Sequence, residues 1–319
     1  FFMPKFIRWA KGRKASQPIS EYAPESHHSK SDTPTMGGLV FIGATLVASL
    51  FTVQLDNAYV LGALLVIALF ALIGIKDDLA KIRQNSNAGL SARAKFAYQA
   101  LIAIGVSCLL ILAGMDTDFY VPFYKFPLMT MGLLGILFWM VVMVAASNAV
   151  NITDGLDGLA TVPSVFAIAS LSVLVYITGN AILSEYLLLP KAIGVGEVAI
   201  IGSAFAGALI GFLWFNSHPA EVFMGDSGSL SLGAFVGYLA ILSKSEVLLL
   251  LIGFIFVLET ASVILQVGSY RARGKRIFLM APIHHHFEVK GWAENKIIVR
   301  FWIIALISNI IALISIKIR

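Results

Sequence analysis

A chain of 319 residues that is 58% hydrophobic and only 13% charged has too little polar surface for an ordinary soluble domain. Its single cysteine, Cys108, excludes an intrachain disulfide and gives no sign of an oxidising, secreted fold. The formal net charge of +5 needs no nucleic-acid partner, because a basic face also favours anionic membrane lipids.

The apolar runs of the chain predict nine membrane-spanning helices. Runs of roughly 17 to 22 apolar residues are long enough to cross a bilayer. The run at 229–242 is shorter and rich in glycine, so we expect it to be tilted, broken or merged with its neighbour. We therefore predict an all-α, polytopic bundle that forms one transmembrane domain over residues 1–319. The predicted spans are 37–54, 58–75, 96–114, 129–147, 161–178, 197–215, 229–242, 247–268 and 300–316.

The distribution of basic residues predicts the orientation of these spans. Phe1 to Ala10 is typical of the inner end of an apolar segment rather than of a signal peptide, so we expect further residues before Phe1. With residues 1–36 placed in the cytoplasm, the inner segments hold 17 Lys and Arg residues and the outer segments hold five. The positive-inside rule supports this orientation. The inner segments, which we expect to carry the active site, are 1–36, 76–95, 148–160, 216–228 and 269–299.

The first polar clusters on the inner side are Lys30 to Gly38 and Lys76-Asp77-Asp78. An acidic pair at the end of a span is unfavourable, because the last turn of a helix carries a partial negative charge. A metal cation, a proton, or Lys76 and Lys81 would offset this cost. We interpret the pair as functional; the alternative is a solvated helix end.

Two basic residues beside these clusters have two interpretations. Lys30 and Lys95 are each placed to contact a phosphate, and each also suits a positive-inside anchor.

The third cluster runs from Asn148 to Gly158 and places amides and carboxylates three residues apart. On a helix, Asn148, Asn151 and Asp154 share one face. An Asx-rich turn is the alternative. It does not account for so many polar side chains, which include Asp157, so we predict contact with a ligand.

The fourth cluster, Asn216 to Ser229, contains Asp226 before an apolar run. Asp, Ser and Gly in this position also suit a helix N-cap. With two further acidic clusters on the same side, a Mg²⁺ held by one or two carboxylates and by substrate phosphates explains the pattern best. Oxygen ligands without cysteine favour a hard cation over zinc.

The last inner segment contains His284, His285 and His286 behind four basic residues. Adjacent side chains point in different directions, so phosphate binding or acid–base chemistry suits them better than joint coordination of a metal. A solvated basic loop is the alternative. Glu259 lies within a predicted span, and its role is left open between function and a structural partner.

The position of the polar clusters distinguishes an enzyme from a carrier. A carrier needs polar sites that are reachable from both faces of the membrane. Here nearly all of them lie on the inner side, which favours an enzyme at the cytoplasmic interface.

Five motifs together resemble the phospho-N-acetylmuramoyl-pentapeptide transferase family over almost the whole chain. The resemblance implies ten spans, of which nine are visible, in a bacterial inner membrane. It implies Mg²⁺-dependent transfer of phospho-MurNAc-pentapeptide from its UDP carrier to undecaprenyl phosphate, giving lipid I and UMP. The oligomeric state is left open between a monomer and a homodimer. The motifs are SDTPTMGG (31–38), KDDLAK (76–81), SNAVNITDGLDGLA (147–160), FNSHPAEVFMGDSGSLSLG (215–233) and APIHHHFEVKGW (281–292).

The resemblance also implies roles for individual residues. Asp226 corresponds to the principal Mg²⁺ ligand, and Asp77 with Asp78 to the pair that handles the lipid phosphate. The nucleotide-sugar pocket corresponds to Asn151, Asp154, Asp157, Asn216 and Phe223. Further substrate contacts correspond to Lys30, Thr35, Gln266 and His285. We assign no role to His218.

Two rival functions remain on the sequence alone. The acidic motifs are shared with enzymes that transfer GlcNAc-1-phosphate to a polyprenyl phosphate. A lipid-linked flippase or transporter is the rival of another class, and polar residues at matching depths on both faces would favour it.

Overall fold

The computed structural model describes residues 1–13, 33–84 and 89–318. Their regular secondary structure is almost entirely helical, which confirms the all-α, polytopic class. A two-stranded antiparallel ribbon pairs β1 (Asp118–Phe119) with β2 (Met129–Thr130). The helices are α1 (Met3–Gly12), α2 (Gly38–Thr52), α3 (Ala58–Gln84), α4 (Ala92–Leu112), α5 (Leu134–Thr153), α6 (Thr161–Gly179), α7 (Ala181–Leu187), α8 (Val198–Asn216), α9 (Gly225–Leu242), α10 (Leu249–Ile252), α11 (Phe254–Arg273), α12 (Ile283–Val289) and α13 (Glu294–Ser315).

A helix occurs at each of the nine predicted spans. By length and composition, six helices of the described chain are able to cross a membrane: α3, α4, α5, α6, α8 with the 3₁₀ turn before it, and α13. Helix α2 is apolar but shorter, with 15 residues. Helices α9 and α11 occupy the two remaining predicted positions. Large apolar side chains such as Leu101, Trp214 and Ile314 are exposed on the outside of the bundle, as expected for a lipid-facing surface.

Helix α9 is the centre of the bundle. Every residue from Asp226 to Leu242 is buried, and a helix that is apolar on all sides belongs in a core. Its neighbours bond to it directly, since Ser231 donates to the carbonyl of Ile67 on α3 and Ser147 on α5 donates to that of Leu230. Helix α9 is continuous over 229–242 and ends before α10, so the expectation that this run is broken or merged with its neighbour was wrong, and a tilt stays a prediction. Its small residues serve close packing within one continuous helix.

Two predicted boundaries need correction. Helix α3 continues to Gln84, so Asp77 and Asp78 lie on a helix that extends beyond the predicted span and not in its last turn. The predicted span 247–268 is divided at Gly253 into α10 and α11. Asn309 of α13 donates to the carbonyl of Ile252 at this break, so the free backbone group is satisfied.

An apolar groove runs along the side of the bundle between α5 and α11. Its volume is about 410 Å³. One end lies at Ala149 and Val150, directly before Asn151 in the chain. The walls include Phe138, Val142, Ala146, Phe256, Val257 and Ile264. The groove therefore joins the membrane interior to the segment that carries the third polar cluster.

Candidate active site

Three buried aspartates meet where α3 touches the first turn of α9. Asp77 and Asp78 come from α3, and Asp226 is the second residue of α9. The two backbones approach closely, because a Cβ on Gly74 would lie 2.2 Å from the Asp226 carbonyl oxygen. One oxygen of each carboxylate lies within 4.8 Å of the others. Three oxygen ligands at this spacing suit a hard divalent cation.

Two lysines balance the negative charge of these aspartates. The Lys81 ammonium lies 2.8 Å from Asp77 and 3.0 Å from Asp226. The Lys95 ammonium lies 3.2 Å from Asp77 and 2.6 Å from Asp226. Asn151 of α5 donates to Asp226 at 3.1 Å. We call Asp77, Asp78, Asp226, Lys81 and Lys95 the acidic centre. Such a mixture of buried carboxylates and ammonium groups is suited to binding both a cation and phosphates.

The two aspartates of α3 have different surroundings. Asp77 accepts from the amide of Leu90 and contacts both lysines. Asp78 accepts from the amides of Asp226 at 3.0 Å and Ser227 at 2.9 Å. Asp78 therefore caps α9 from another helix and occupies the positive end of its dipole. From the sequence we interpreted them as one functional pair. In the structure Asp78 instead holds the backbone of Asp226 in place.

Residues at the start of the described range 33–84 contact the turn at Gly225 beside the acidic centre. Gly225 has a φ of +75°, and a Cβ there would lie 2.7 Å from an Asp78 oxygen and 3.0 Å from the Thr35 hydroxyl. The turn before α9 therefore requires glycine, and Thr35 lies beside the acidic centre. The backbone amide of Phe223 donates to Pro34, and that of Gly37 donates to Phe223. Lys30 lies outside the described residues.

The loop between α8 and α9 carries Phe223 at a partly buried position. Asn216 holds the base of this loop, since it donates to the carbonyl of Val222 and accepts from Thr161. Asn216 is itself buried. The structure therefore places Asn216 as a support for the segment with Phe223.

Asp157 fastens the same loop to the segment after α5. Its carboxylate accepts from the amide of Ala220 at 3.1 Å and lies 2.9 Å from Nδ1 of His218. His218 also lies 3.7 Å from Glu294, which accepts from the amide of Asp157. Asp157, His218 and Glu294 form a second group whose ligand atoms lie within 4.8 Å of one another. No local pattern in the sequence points to a role for His218 or Glu294, because the contact between their segments forms only in the folded chain.

Asp154 follows the end of α5 on the predicted cytoplasmic side. Burial of the carboxyl group, together with the negative charges of Asp226 and Asp78, raises the pKa of Asp154 from 3.8 to about 8. Asp154 is therefore electrostatically coupled to the acidic centre. A cation or a basic group bound there would favour its ionised form.

Two predicted contacts bond to other parts of the protein. Asn148 donates to Gln99 of α4 and to the carbonyl of Val144. Gln266 accepts from the amides of Ile277 and Phe278 and donates to the carbonyl of Phe278. Gln266 thus shapes the basic loop after α11. Of the three side chains predicted to share a face, Asn151 contacts the acidic centre and Asn148 points to α4.

The three consecutive histidines have three different environments. His284 is buried, and its Nδ1 lies 3.1 Å from Glu259. His285 lies 2.5 Å from Glu288, and its ring contacts that of His284 in a tilted arrangement with the ring centres 4.2 Å apart. His286 accepts from the amide of Leu279, and burial and Lys290 lower its pKa. The prediction that phosphate binding or acid–base chemistry suits them better than joint coordination of a metal stays a prediction.

All five predicted clusters are joined by these contacts. The segment at Thr35 meets the turn before α9, Asn151 and the acidic centre meet at Asp226, and His284 lies against Gly155. Lys81 was predicted only to offset the acidic pair. Its position four residues after Asp77 was the signal for a contact on one helix.

Comparison with known proteins adds two family matches. The model of glycosyl transferase family 4 matches residues 60–244. Signature 1 of the phospho-N-acetylmuramoyl-pentapeptide-transferases matches residues 30–42, which include Lys30 and Thr35.

Curated proteins with the name phospho-N-acetylmuramoyl-pentapeptide-transferase are similar over the full chain. The protein from Wolinella succinogenes is 67% identical over 318 residues, which cover 100% of this chain and 90% of that protein. The one from Aliarcobacter butzleri is 64% identical, with 100% and 91% covered. The one from Campylobacter jejuni is 59% identical with the same coverage.

Proposed function

The chain belongs to the phospho-N-acetylmuramoyl-pentapeptide-transferase family, and from this premise we propose that it transfers phospho-MurNAc-pentapeptide from UDP-MurNAc-pentapeptide to undecaprenyl phosphate. The products are lipid I and UMP. The observation that carries the proposal is the acidic centre, which follows the segment with Phe223 in the chain and bonds through Asn151 to the segment at one end of the apolar groove. A soluble anionic donor and a lipid phosphate acceptor both suit this arrangement.

We propose that Asp226 holds a Mg²⁺, with Asp77 and substrate phosphates as further ligands. The fit rests on the donor set, since three buried carboxylates lie within 4.8 Å of one another and oxygen ligands of this kind suit Mg²⁺. When bound, the cation neutralises charge on the phosphates of the donor. Lys81 and Lys95 bridge Asp77 and Asp226 and would turn toward phosphate oxygens when a cation binds these carboxylates.

The reaction that we propose is a direct displacement. An oxygen of undecaprenyl phosphate attacks the β-phosphorus of the donor, and the bond from this phosphorus to the oxygen that bridges the two phosphates breaks. UMP leaves with that oxygen. The protein supplies positioning and charge neutralisation. A covalent route through Asp78 is disfavoured, because its carboxylate is fully buried and already caps two amides of α9.

The apolar groove between α5 and α11 supports a lipid acceptor. Its end at Ala149 and Val150 lies beside Asn151, which bonds to Asp226. A polyprenyl chain in this groove would place its phosphate near the acidic centre. We propose that the site faces the cytoplasm of a bacterial inner membrane, on the basis of 17 inner and five outer basic residues.

The donor pocket is proposed to include Phe223, Asp154, Asn151, Thr35, Lys30 and His285. Phe223 would stack on the uracil ring. Asn216 and Asp157 would hold the loop of Phe223 in place, in agreement with their bonds to Val222 and Ala220.

A paired-donor assay tests this proposal. Purified protein with Mg²⁺ and undecaprenyl phosphate is given either UDP-MurNAc-pentapeptide or UDP-GlcNAc, and UMP release is measured. We expect release only from the first donor. Release only from UDP-GlcNAc would assign the protein to the sister reaction, and no release from either would contradict the proposed transferase activity.

A further inference from the structure

Glu259 and His284 form a carboxyl–imidazole pair in the interior of the bundle. Glu259 is 0% exposed and His284 is 1% exposed. The Glu259 Oε2 and His284 Nδ1 atoms are 3.1 Å apart. Among residues 1–13, 33–84 and 89–318, the Glu259 oxygens and the His284 ring nitrogens form no aligned hydrogen bond, either with each other or with another group. A buried carboxylate without a partner is unfavourable. The short distance between Oε2 and Nδ1 makes each group the candidate partner of the other.

His284 connects this pair to the candidate donor pocket. A Cβ placed on Gly155 would lie 2.4 Å from its Nε2, so the ring fills the space that the missing side chain leaves. Gly155 lies between Asp154 and Asp157 in the chain. The ring of His284 also contacts the ring of His285, with the ring centres 4.2 Å apart and the planes tilted by 58°. A shift or rotation of His284 would thus move both the turn at Gly155 and the ring of His285.

We propose that Glu259 is a positioning residue that fixes the tautomer and the orientation of His284. Its carboxylate accepts the proton on Nδ1, which leaves Nε2 toward Gly155. The bond that one ring nitrogen makes determines the state of the other. Through His284, Glu259 on α11 holds α12 and His285 against the donor pocket. This assignment deepens the proposed function and rests on it for its kinetic consequence.

Two substitutions separate positioning from simple loss of a buried group. Glu259→Gln keeps an oxygen that accepts the Nδ1 proton. Glu259→Leu keeps a similar volume but offers no acceptor. We expect Glu259→Gln to retain the KM for the nucleotide donor within about twofold. Glu259→Leu should raise this KM about tenfold and have a smaller effect on kcat. A tenfold change is at the lower end of the range for loss of an orienting partner.

The tautomer of His284 is measured directly by ¹⁵N NMR of histidine-labelled protein, with His284→Gln to assign the signal. We expect a protonated Nδ1 in the wild type and in Glu259→Gln, and a mixture of tautomers in Glu259→Leu. Glu246→Gln is the matched control, because Glu246 is also buried but bonds to Trp139. It should leave the His284 signal unaltered.

Three results would overturn the assignment. One is a wild-type signal with Nδ1 unprotonated, which is decisive even when Glu259→Leu does not fold. Another is an unaltered His284 signal with a normal donor KM in Glu259→Leu. The third is an equal rise of KM in the Gln and Leu variants with an unaltered signal. If the wild type transfers nothing, the proposed function fails, and the NMR result still decides whether Glu259 fixes His284.

Discussion

The cap that Asp78 provides for α9 leads to a quantitative prediction. Its two oxygens accept one amide each, from Asp226 and Ser227. In Asp78→Asn the side-chain oxygen retains one of these bonds, and the NH₂ group faces the other amide, so two donors meet. The change also removes a negative charge from the positive end of the helix.

The expected loss is about 2 to 4 kcal/mol in unfolding free energy, because a hydrogen bond to a charged group contributes about 1.5–3 kcal/mol and a buried unsatisfied donor costs a similar amount. Asp77→Asn is the comparison variant. Its neighbours Lys81 and Lys95 keep Asp226 as a partner, so we expect a smaller loss. Both variants should lose activity.

Unfolding in detergent measures the stability, and hydrogen–deuterium exchange of the peptide that contains residues 225–230 reports on the cap. We expect faster exchange in Asp78→Asn than in Asp77→Asn. If Asp78→Asn has wild-type stability and wild-type exchange at the start of α9 but no activity, Asp78 acts on the substrate and the cap is unimportant.

Three further predictions concern the site. Asp226→Asn should abolish transfer and weaken binding of Mg²⁺ while the protein still folds, since an amide is a poorer ligand for a hard cation; full activity across a Mg²⁺ titration would remove Asp226 from the metal site. Phe223→Ala should weaken binding of a uridine ligand by about 1–3 kcal/mol, in line with aromatic stacking on bases, and equal calorimetric affinities would refute stacking. The pKa of Asp154 is raised to about 8, so the folded protein favours the protonated carboxyl group. The stability that this group contributes is present at low pH and is lost as the pH rises from about 4 to 8. Asp154→Asn should therefore show a smaller fall in unfolding free energy over this range, and parallel pH profiles would contradict the assignment.

Much of the architecture could be predicted from local patterns. Apolar run length identified the positions of the long helices, because a bilayer demands about 20 apolar residues from each. The run at 229–242 was misjudged, since its small residues suit either a distorted span or a tightly packed central helix. The packing of α9 against α3 and α5 distinguishes the central helix from the distorted span, and this packing is visible only in the structure.

The candidate site was predictable as a set of clusters but not as a set of contacts. Asp77, Asp154 and Asp226 are conspicuous because carboxylates beside apolar runs are costly. The cap of Asp78 on α9 joins residues 148 and 149 positions apart in the chain, and no local pattern encodes it. The same holds for Glu259 and His284, and for Asp157 and His218. Such pairs follow from how the helices pack, which the hydropathy pattern does not specify.

The most direct test of the proposed activity is isolation of the lipid product. Purified protein is incubated with UDP-MurNAc-pentapeptide, undecaprenyl phosphate and Mg²⁺, and the organic extract is analysed by mass spectrometry, with Asp226→Ala as the control. We expect a lipid that carries phospho-MurNAc-pentapeptide on undecaprenyl phosphate, formed in equal amount with UMP and absent from the control. UMP without this lipid, or the same lipid in the control, would contradict it.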